Sequence, residues 1–230
     1  MKRITAIAGH YGSGKTEFSV NLAFDLKKER NKVAILDMDI ANPYFRSRER
    51  QKMMEDQGIN VIYNTFGFDI TEDLPAISAA LRGPLENTEF TTVVDVGGND
   101  SGARVLKQFE KYFRRDDCEL LCVLNANRPE TDTVEGMLEH LHSIENETGL
   151  KFHGIINNTH LLRETTASDI VKGYELCKQV SEKLNIPIAW NTCREDLLDD
   201  LNELIKEKNI TGLENIYPIK LYMRPTWLDR

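Results

Sequence analysis

The stretch Gly9-His10-Tyr11-Gly12-Ser13-Gly14-Lys15-Thr16 sets three glycines ahead of an amine and a hydroxyl, an order suited to holding an anion. Gly9, Gly12 and Gly14 allow a tight, partly left-handed backbone path with no Cβ between the loop N–H groups and incoming oxygens. An apolar run, Ile4 to Ala8, precedes the loop and reads as a strand, and a helix opens near Lys15. That placement aims the loop N–H groups and the positive end of a helix dipole at one point. The spacing G-x-x-x-x-G-K-[ST] predicts a nucleoside triphosphate as the occupant, bound by residues 9 to 16, with Glu17 beside them in the first helical turn. Lys15 then reaches the β- and γ-phosphates, and the Thr16 hydroxyl ligates Mg²⁺.

Two acidic groups fall at the ends of predicted strands, where such a loop needs them. Leu36-Asp37-Met38-Asp39 closes one strand, and Val93-Val94-Asp95-Val96-Gly97-Gly98 closes another. Asp95 after its β-branched run is the candidate second metal anchor, acting through a coordinated water. Asp37 and Asp39 alternate in direction if both are extended, so they take different tasks: Asp37 near the metal, Asp39 orienting the water that attacks the γ-phosphate. Asn42, Tyr44, Arg46 and Arg48 follow directly and, with Gly98, are candidate substrate or switch contacts.

The elements that must position these groups alternate along the chain. Phe18, Leu22, Ala23 and Leu26 give the first helix an apolar stripe with a polar far side. Strands are expected over 32–40, 59–64, 91–97, 119–126, 151–157 and 186–190, and helices over 48–57, 72–82, 101–113, 131–147, 166–184 and 194–208. This alternation predicts an α/β fold: a mostly parallel central sheet of about seven strands with helices on both faces, in three α/β/α layers. Ligands of such sheets bind at the carboxyl ends of the strands. No repeat or linker divides residues 1–230, so one nucleotide-binding domain is expected, with 215–230 as an extended C-terminal tail docked on it.

Composition narrows the function. With 40% hydrophobic residues and no long apolar segment, the 230-residue chain is expected to bury one core and to lack a membrane segment. No signal-like stretch follows Met1, and Cys118, Cys122, Cys177 and Cys193 are too scattered for a disulfide framework, so the cytoplasm is the expected compartment. A net charge of −8, from 29 basic and 37 acidic residues, gives no strong nucleic-acid signal. Cys118 and Cys122 share one strand face and read as packing residues, Cys193 as the more exposed thiol, and His140 and His142 as diverging rather than as a metal pair.

Residues 3 to 41, with the loop, Asn21-Leu22-Ala23 and Ile35-Leu36-Asp37-Met38-Asp39, resemble the MinD/ParA/Mrp/CobQ-CobB superfamily of phosphate-loop (Walker A) ATPases. Asp95-Val96-Gly97-Gly98 with Ser101-Gly102 is similar to that family's second acidic motif, and Asn127-Arg128-Pro129-Glu130 to its turn after the next strand. Asn158, after Ile155-Ile156-Asn157, matches the strand-end Asn that contacts adenine in the family. The resemblance implies ATP and Mg²⁺ as cofactors, Lys15 on phosphate, Thr16, Asp37 and Asp95 on the metal, and Asp39 as the water-orienting residue. One position departs. The family's Lys at the second loop position, which reaches across a nucleotide-sandwiched dimer, is here His10, shorter and only partly charged at neutral pH. Arg46 or Arg48 could supply the charge instead.

The expected function is a Mg-dependent ATP-binding protein and slow ATPase, a hydrolase acting as a nucleotide-driven switch on an unidentified protein partner. A nucleotide-dependent homodimer stays open. The alternative is a small-molecule enzyme of the CobQ/CobB or dethiobiotin synthetase type, which uses ATP to activate a carboxylate substrate.

Overall fold

The structure is a computed structural model and describes residues 1–38, 50–63, 81–98 and 100–223. Asp39, Asn42, Tyr44, Arg46, Arg48 and most of the helix expected over 72–82 lie outside the described residues. The strands are β1 (Ile4–Gly9), β2 (Val33–Met38), β3 (Ile59–Tyr63), β4 (Thr91–Val96), β5 (Cys118–Leu124), β6 (Gly154–Asn157), β7 (Ile188–Arg194) and β8 (Ile216–Ile219). The described helices are α1 (Lys15–Glu29), α2 (Gln51–Glu55), α3 (81–86), α4 (Asp100–Gln108), α5 (Glu110–Phe113), α6 (Val134–Thr148), α7 (Ala167–Leu184) and α8 (Leu198–Glu207).

All eight strands join one sheet in the order β3-β2-β4-β1-β5-β6-β7-β8, with every pairing parallel. The chain first builds outward from β1 to β2 and β3, returns to insert β4 beside β1, and then crosses to β5. Strand order therefore reverses at β1, and the crevice over its carboxyl end is where a ligand fits. At the opposite end of β1, Arg3 donates to Asp117 at 2.6 Å and to the Leu85 carbonyl at 2.9 Å, which pins the entrance of the strand.

Period-two alternation along β1 divides the core. Ile4, Ala6 and Ala8 pack with Val94, Leu120 and Cys122 against Leu106, Phe109, Met137 and Leu141 of the helical side. Ile7, on the other face, packs with Ile35, Val93 and Val123 against Phe18, Leu22, Ala23 and Leu26 of α1, the stripe expected from spacing. A third cluster joins Ile170 and Tyr174 of α7 to Leu201 of α8. Local chemistry sets the helix ends: Thr166 and Asp169 form a capping box that opens α7, and Gly149 closes α6 in the left-handed conformation, φ 69°.

Among the described residues the sheet has eight strands where about seven were expected. The extra one is β8, from the segment read as a tail; Pro218 within it is tolerated because β8 is an edge strand. Pairing with β8 also carries β7 on to Arg194, four residues past its expected end, and delays the following helix to Leu198. Cys193 lies opposite Pro218 and is buried, contrary to the exposure expected of it. The helix expected over 101–113 breaks at Phe109, whose ring turns into the core with Tyr112 and Phe113. Cys118 and Cys122 are both buried in one cluster, as their spacing predicts.

Phe18 is fully buried, with its ring 5.1 Å from Tyr217 and 5.6 Å from Trp190. Phe18→Ala is expected to cost about 3–5 kcal/mol of unfolding free energy, measured by urea denaturation. A loss below about 1 kcal/mol would mean that this contact does not anchor α1.

Candidate nucleotide-binding site

β1 delivers the chain to Gly9, and α1 takes it up at Lys15. Between them Gly12 (φ 75°) and Gly14 (φ 85°) adopt left-handed conformations that L side chains rarely take. Ser13 N–H donates to the His10 carbonyl at 3.0 Å, which closes the turn, and Phe18 N–H donates to Gly14 at 2.9 Å, which starts the helical ladder. The N-cap is Gly14, with no side-chain cap on the first turn.

Strand ends on the β5 side of β1 clasp the loop by its carbonyls. From beyond β5, Arg128 Nε donates to the Gly12 carbonyl at 3.0 Å, and Asn125 Nδ2 reaches the same oxygen at 3.4 Å. From beyond β6, Asn158 Nδ2 donates to the Ser13 carbonyl at 2.7 Å while its Oδ1 accepts from Thr192. Because a trans peptide is planar, holding the Ser13 C=O on Asn158 turns the Gly14 N–H the opposite way. Below the loop, Gly98 approaches so closely that a Cβ there would lie 2.7 Å from the Gly9 carbonyl and 2.9 Å from the Tyr11 nitrogen.

The acidic groups come to the same end of the sheet. Asp37 and Asp95 stand opposite each other across β2 and β4, and Asp95 also pairs with Ile7 of β1. Both are buried, at 3% and 0% exposure. Asp95 accepts from Ser19 Oγ at 3.5 Å. Ser19 lies one turn beyond Thr16 on the same face of α1, so Asp95 faces the first turns of that helix. Lys15 and Thr16 are buried at 4% and 6% exposure.

His10 holds its Nδ1 3.2 Å from the Tyr11 carbonyl and 3.8 Å from the Glu130 carboxylate, and packs edge-on against His140 at 5.5 Å. Burial, reinforced by the positive neighbours His10 and Lys15, lowers the His140 imidazole to about 4. His160, beside the loop, is likewise lowered to about 4, first by burial and then by the Arg128 charge. Burial raises Glu17 to about 7, against hydrogen bonds from the Tyr222 and Met223 amides and the charge of Arg50. A cavity of about 360 Å³ adjoins the loop and is lined also by Asn158, Thr192, Arg194, Leu221 and Met223.

Gly9 through Glu17, Asp37, Asp95, Gly98 and Asn158 thus gather at the carboxyl edge of β1, β2, β4 and β6. Asn158 differs in its use: its amide is engaged with the loop and Thr192. Asn125, Arg128, His160 and Thr192 were missed as site residues, although Asn125, Arg128 and His160 follow the strand ends beyond β1 and Thr192 sits within β7, on the side where the sheet order places the crevice. Among the described residues no group of three or more His, Cys, Asp or Glu could hold a metal by itself, and no helix is long and apolar enough to cross a membrane.

A glycine-rich loop between β1 and α1, flanked by buried strand-end carboxylates, defines a P-loop nucleotide-binding domain of the three-layer α/β/α type. The chain belongs to the CbiA family, the CobQ/CobB/MinD/ParA nucleotide binding domain, which matches residues 4–189. A search of curated proteins finds no match. Similar solved structures include the cell division protein FtsY of Thermotoga maritima, 23% identical with a TM-score of 0.54 over 81% of this chain and 60% of that one. FlhF complexed with GTP/Mg²⁺ is 15% identical with a TM-score of 0.51, over 82% and 64%. The 54 kDa signal recognition particle protein of Aeropyrum pernix K1 in complex with GDP is 22% identical with a TM-score of 0.52, over 80% and 40%. The chain thus spans about three fifths of the first two and two fifths of the third, and the likeness is one of fold.

Two outcomes follow from this geometry. Gly98→Ala must push the loop away from β4, so phosphate-loop ligands are expected to weaken about tenfold or more in calorimetric titration, while the fold is retained. The His160 imidazole titrates near 4 in the folded chain against an ordinary 6.5. The unfolded chain therefore binds more protons between those values, and stability falls as pH drops through that window. His160→Gln should flatten the fall in melting temperature between pH 6.5 and 4; an unchanged slope would assign the loss to other groups.

Proposed function

We propose that the chain binds Mg·nucleoside triphosphate on the 9–16 loop, with ATP as the preferred nucleotide, and hydrolyses it slowly as a switch read by a protein partner. The observation that carries this reading is the in-register pair Asp37 and Asp95 beside the loop, with Asp95 tied to α1 through Ser19. Two carboxylates side by side on adjacent strand ends supply the hard oxygen donors that a divalent cation takes. An oxygen set of two carboxylates and the Thr16 hydroxyl suits Mg²⁺. When bound, Mg²⁺ would neutralise charge on the phosphate oxygens.

The chain's own groups take the remaining tasks. Loop N–H groups and the α1 dipole hold the β- and γ-phosphates, and the buried Lys15 adds a full positive charge. Asp39 orients the attacking water, and the segments that begin at Asp37 and Asp95 respond to the terminal phosphate. These roles rest on motif position for Asp39, which lies outside the described residues. The preference for ATP rests on the family resemblance; structural neighbours bound to GTP and GDP make the base comparison part of the test. The reading carries a cytoplasmic location and a protein partner, in keeping with the net charge of −8.

The test is steady-state hydrolysis and equilibrium binding of Mg·ATP and Mg·GTP by wild type, Lys15→Ala and Asp39→Ala. Lys15→Ala is expected to weaken binding by roughly two orders of magnitude. Asp39→Ala is expected to keep binding and lose turnover about a hundredfold or more. Tight binding with no turnover that Asp39→Ala removes would overturn the hydrolytic switch, and preference for GTP would overturn the base assignment.

A further inference from the structure

The family match ends at residue 189, yet the chain returns to the loop helix with its last described residues. On α1, Glu17, Asn21 and Asp25 form a stripe at i, i+4 and i+8. Each holds the segment after or within β8. Tyr217 donates its hydroxyl to Asp25. Asn21 accepts from the Lys220 amide at 2.8 Å and donates to the Lys220 carbonyl at 2.9 Å, an exchange like one rung of a sheet. Glu17 accepts from the Tyr222 and Met223 amides, the latter at 3.1 Å. Tyr222 also packs on Phe24, with ring centroids 4.8 Å apart. Residues 217–223 therefore run antiparallel to α1 and end beside its first turn.

This strap closes one side of the 360 Å³ cavity. Ile219, Leu221 and Met223 line it together with Asn158, Thr192 and Arg194. The strap gives the cavity apolar side chains while Asn158, Thr192 and Arg194 give it polar groups, a mixed lining that suits a flat heteroaromatic ring with an apolar face and a polar edge. The cavity begins at the loop, where a nucleotide's phosphates end and its sugar and base must continue.

Resting on the nucleotide reading above, we propose that the C-terminal strap is the apolar wall of the nucleobase subsite. Base binding and strap docking then reinforce each other, and Glu17 acts as the positioning residue between them. A ligand that touches the strap only when docked must favour the docked state, and docking must favour the ligand by the same factor. Phosphates alone do not reach the strap and take no part in that linkage.

Inorganic tripolyphosphate with Mg²⁺ separates the two ideas, because it presents the phosphates without a base. Binding of Mg·ATP, Mg·GTP and Mg·tripolyphosphate is measured for wild type, Leu221→Ala/Met223→Ala, Glu17→Gln and Lys15→Ala. The double variant trims the wall but keeps the backbone amides that Glu17 holds. It is expected to lose about tenfold in affinity for its nucleotide and less than about twofold for tripolyphosphate. Glu17→Gln should do the same in weaker form. Equal losses for both ligands, or none, would overturn the strap as a base wall. Failure of wild type or Lys15→Ala to distinguish any phosphate ligand would instead overturn the nucleotide reading. Amide exchange on the unaltered chain gives an independent measure: the nucleotide should slow exchange at 220–223 about tenfold, and tripolyphosphate should not. Equal protection by both ligands would also overturn the proposal.

Discussion

The site depends on how closely backbone can approach backbone at the carboxyl end of β1. Gly98 lies where any side chain would strike the Gly9 carbonyl and the Tyr11 nitrogen, and at Gly9 a Cβ would meet the Val123 carbonyl at 2.6 Å. The loop is thus seated between the ends of β4 and β5 without an intervening atom. Such contact fixes a loop that has few hydrogen bonds of its own, and it requires glycine on both sides of the contact. Asn125, Arg128 and Asn158 complete the seat by taking the carbonyls of Gly12 and Ser13.

Seating the loop in this way concentrates charge in a dry place. Lys15, Asp37 and Asp95 are all buried at the helix N-terminus or the strand ends beside it. Buried charges are costly unless they are paired, and leaving one of a set without its counterpart costs more than removing the set. The same environment keeps neighbouring imidazoles neutral: His140 and His160 both sit near 4 because burial and nearby positive charge disfavour a further proton. The edge-on contact of His10 with His140 adds shape to the loop's outer side.

Much of this was legible in the sequence because its signals are local. The loop motif, the acidic strand ends and the α1 stripe of Phe18, Leu22, Ala23 and Leu26 each occupy a few consecutive residues, and each fell where its pattern placed it. What escaped was non-local. Asn125 and His160 look like ordinary loop residues until the sheet order puts the ends of β5 and β6 on the loop's side of β1. The far side of α1 reads only as polar, and Asn21 on it is 5% exposed because a segment 199 positions away pairs with it. β8 was hidden by Pro218, a residue that argues against a strand unless the strand is known to be an edge.

α1 emerges as the element through which these parts act together. Its N-terminus ends the phosphate loop, its Ser19 meets Asp95, its apolar face is built into the core under β1, and its polar stripe carries the strap. Fifteen residues of helix amount to a rod of about 22 Å. A well-packed rod transmits a displacement rather than absorbing it. Along its length the helix holds the strap from Met223 back to Tyr217, and through Tyr217 the strap meets Phe18 and Trp190. The edge of the sheet most distant in sequence from the phosphate loop is in this way joined to it by a single helix.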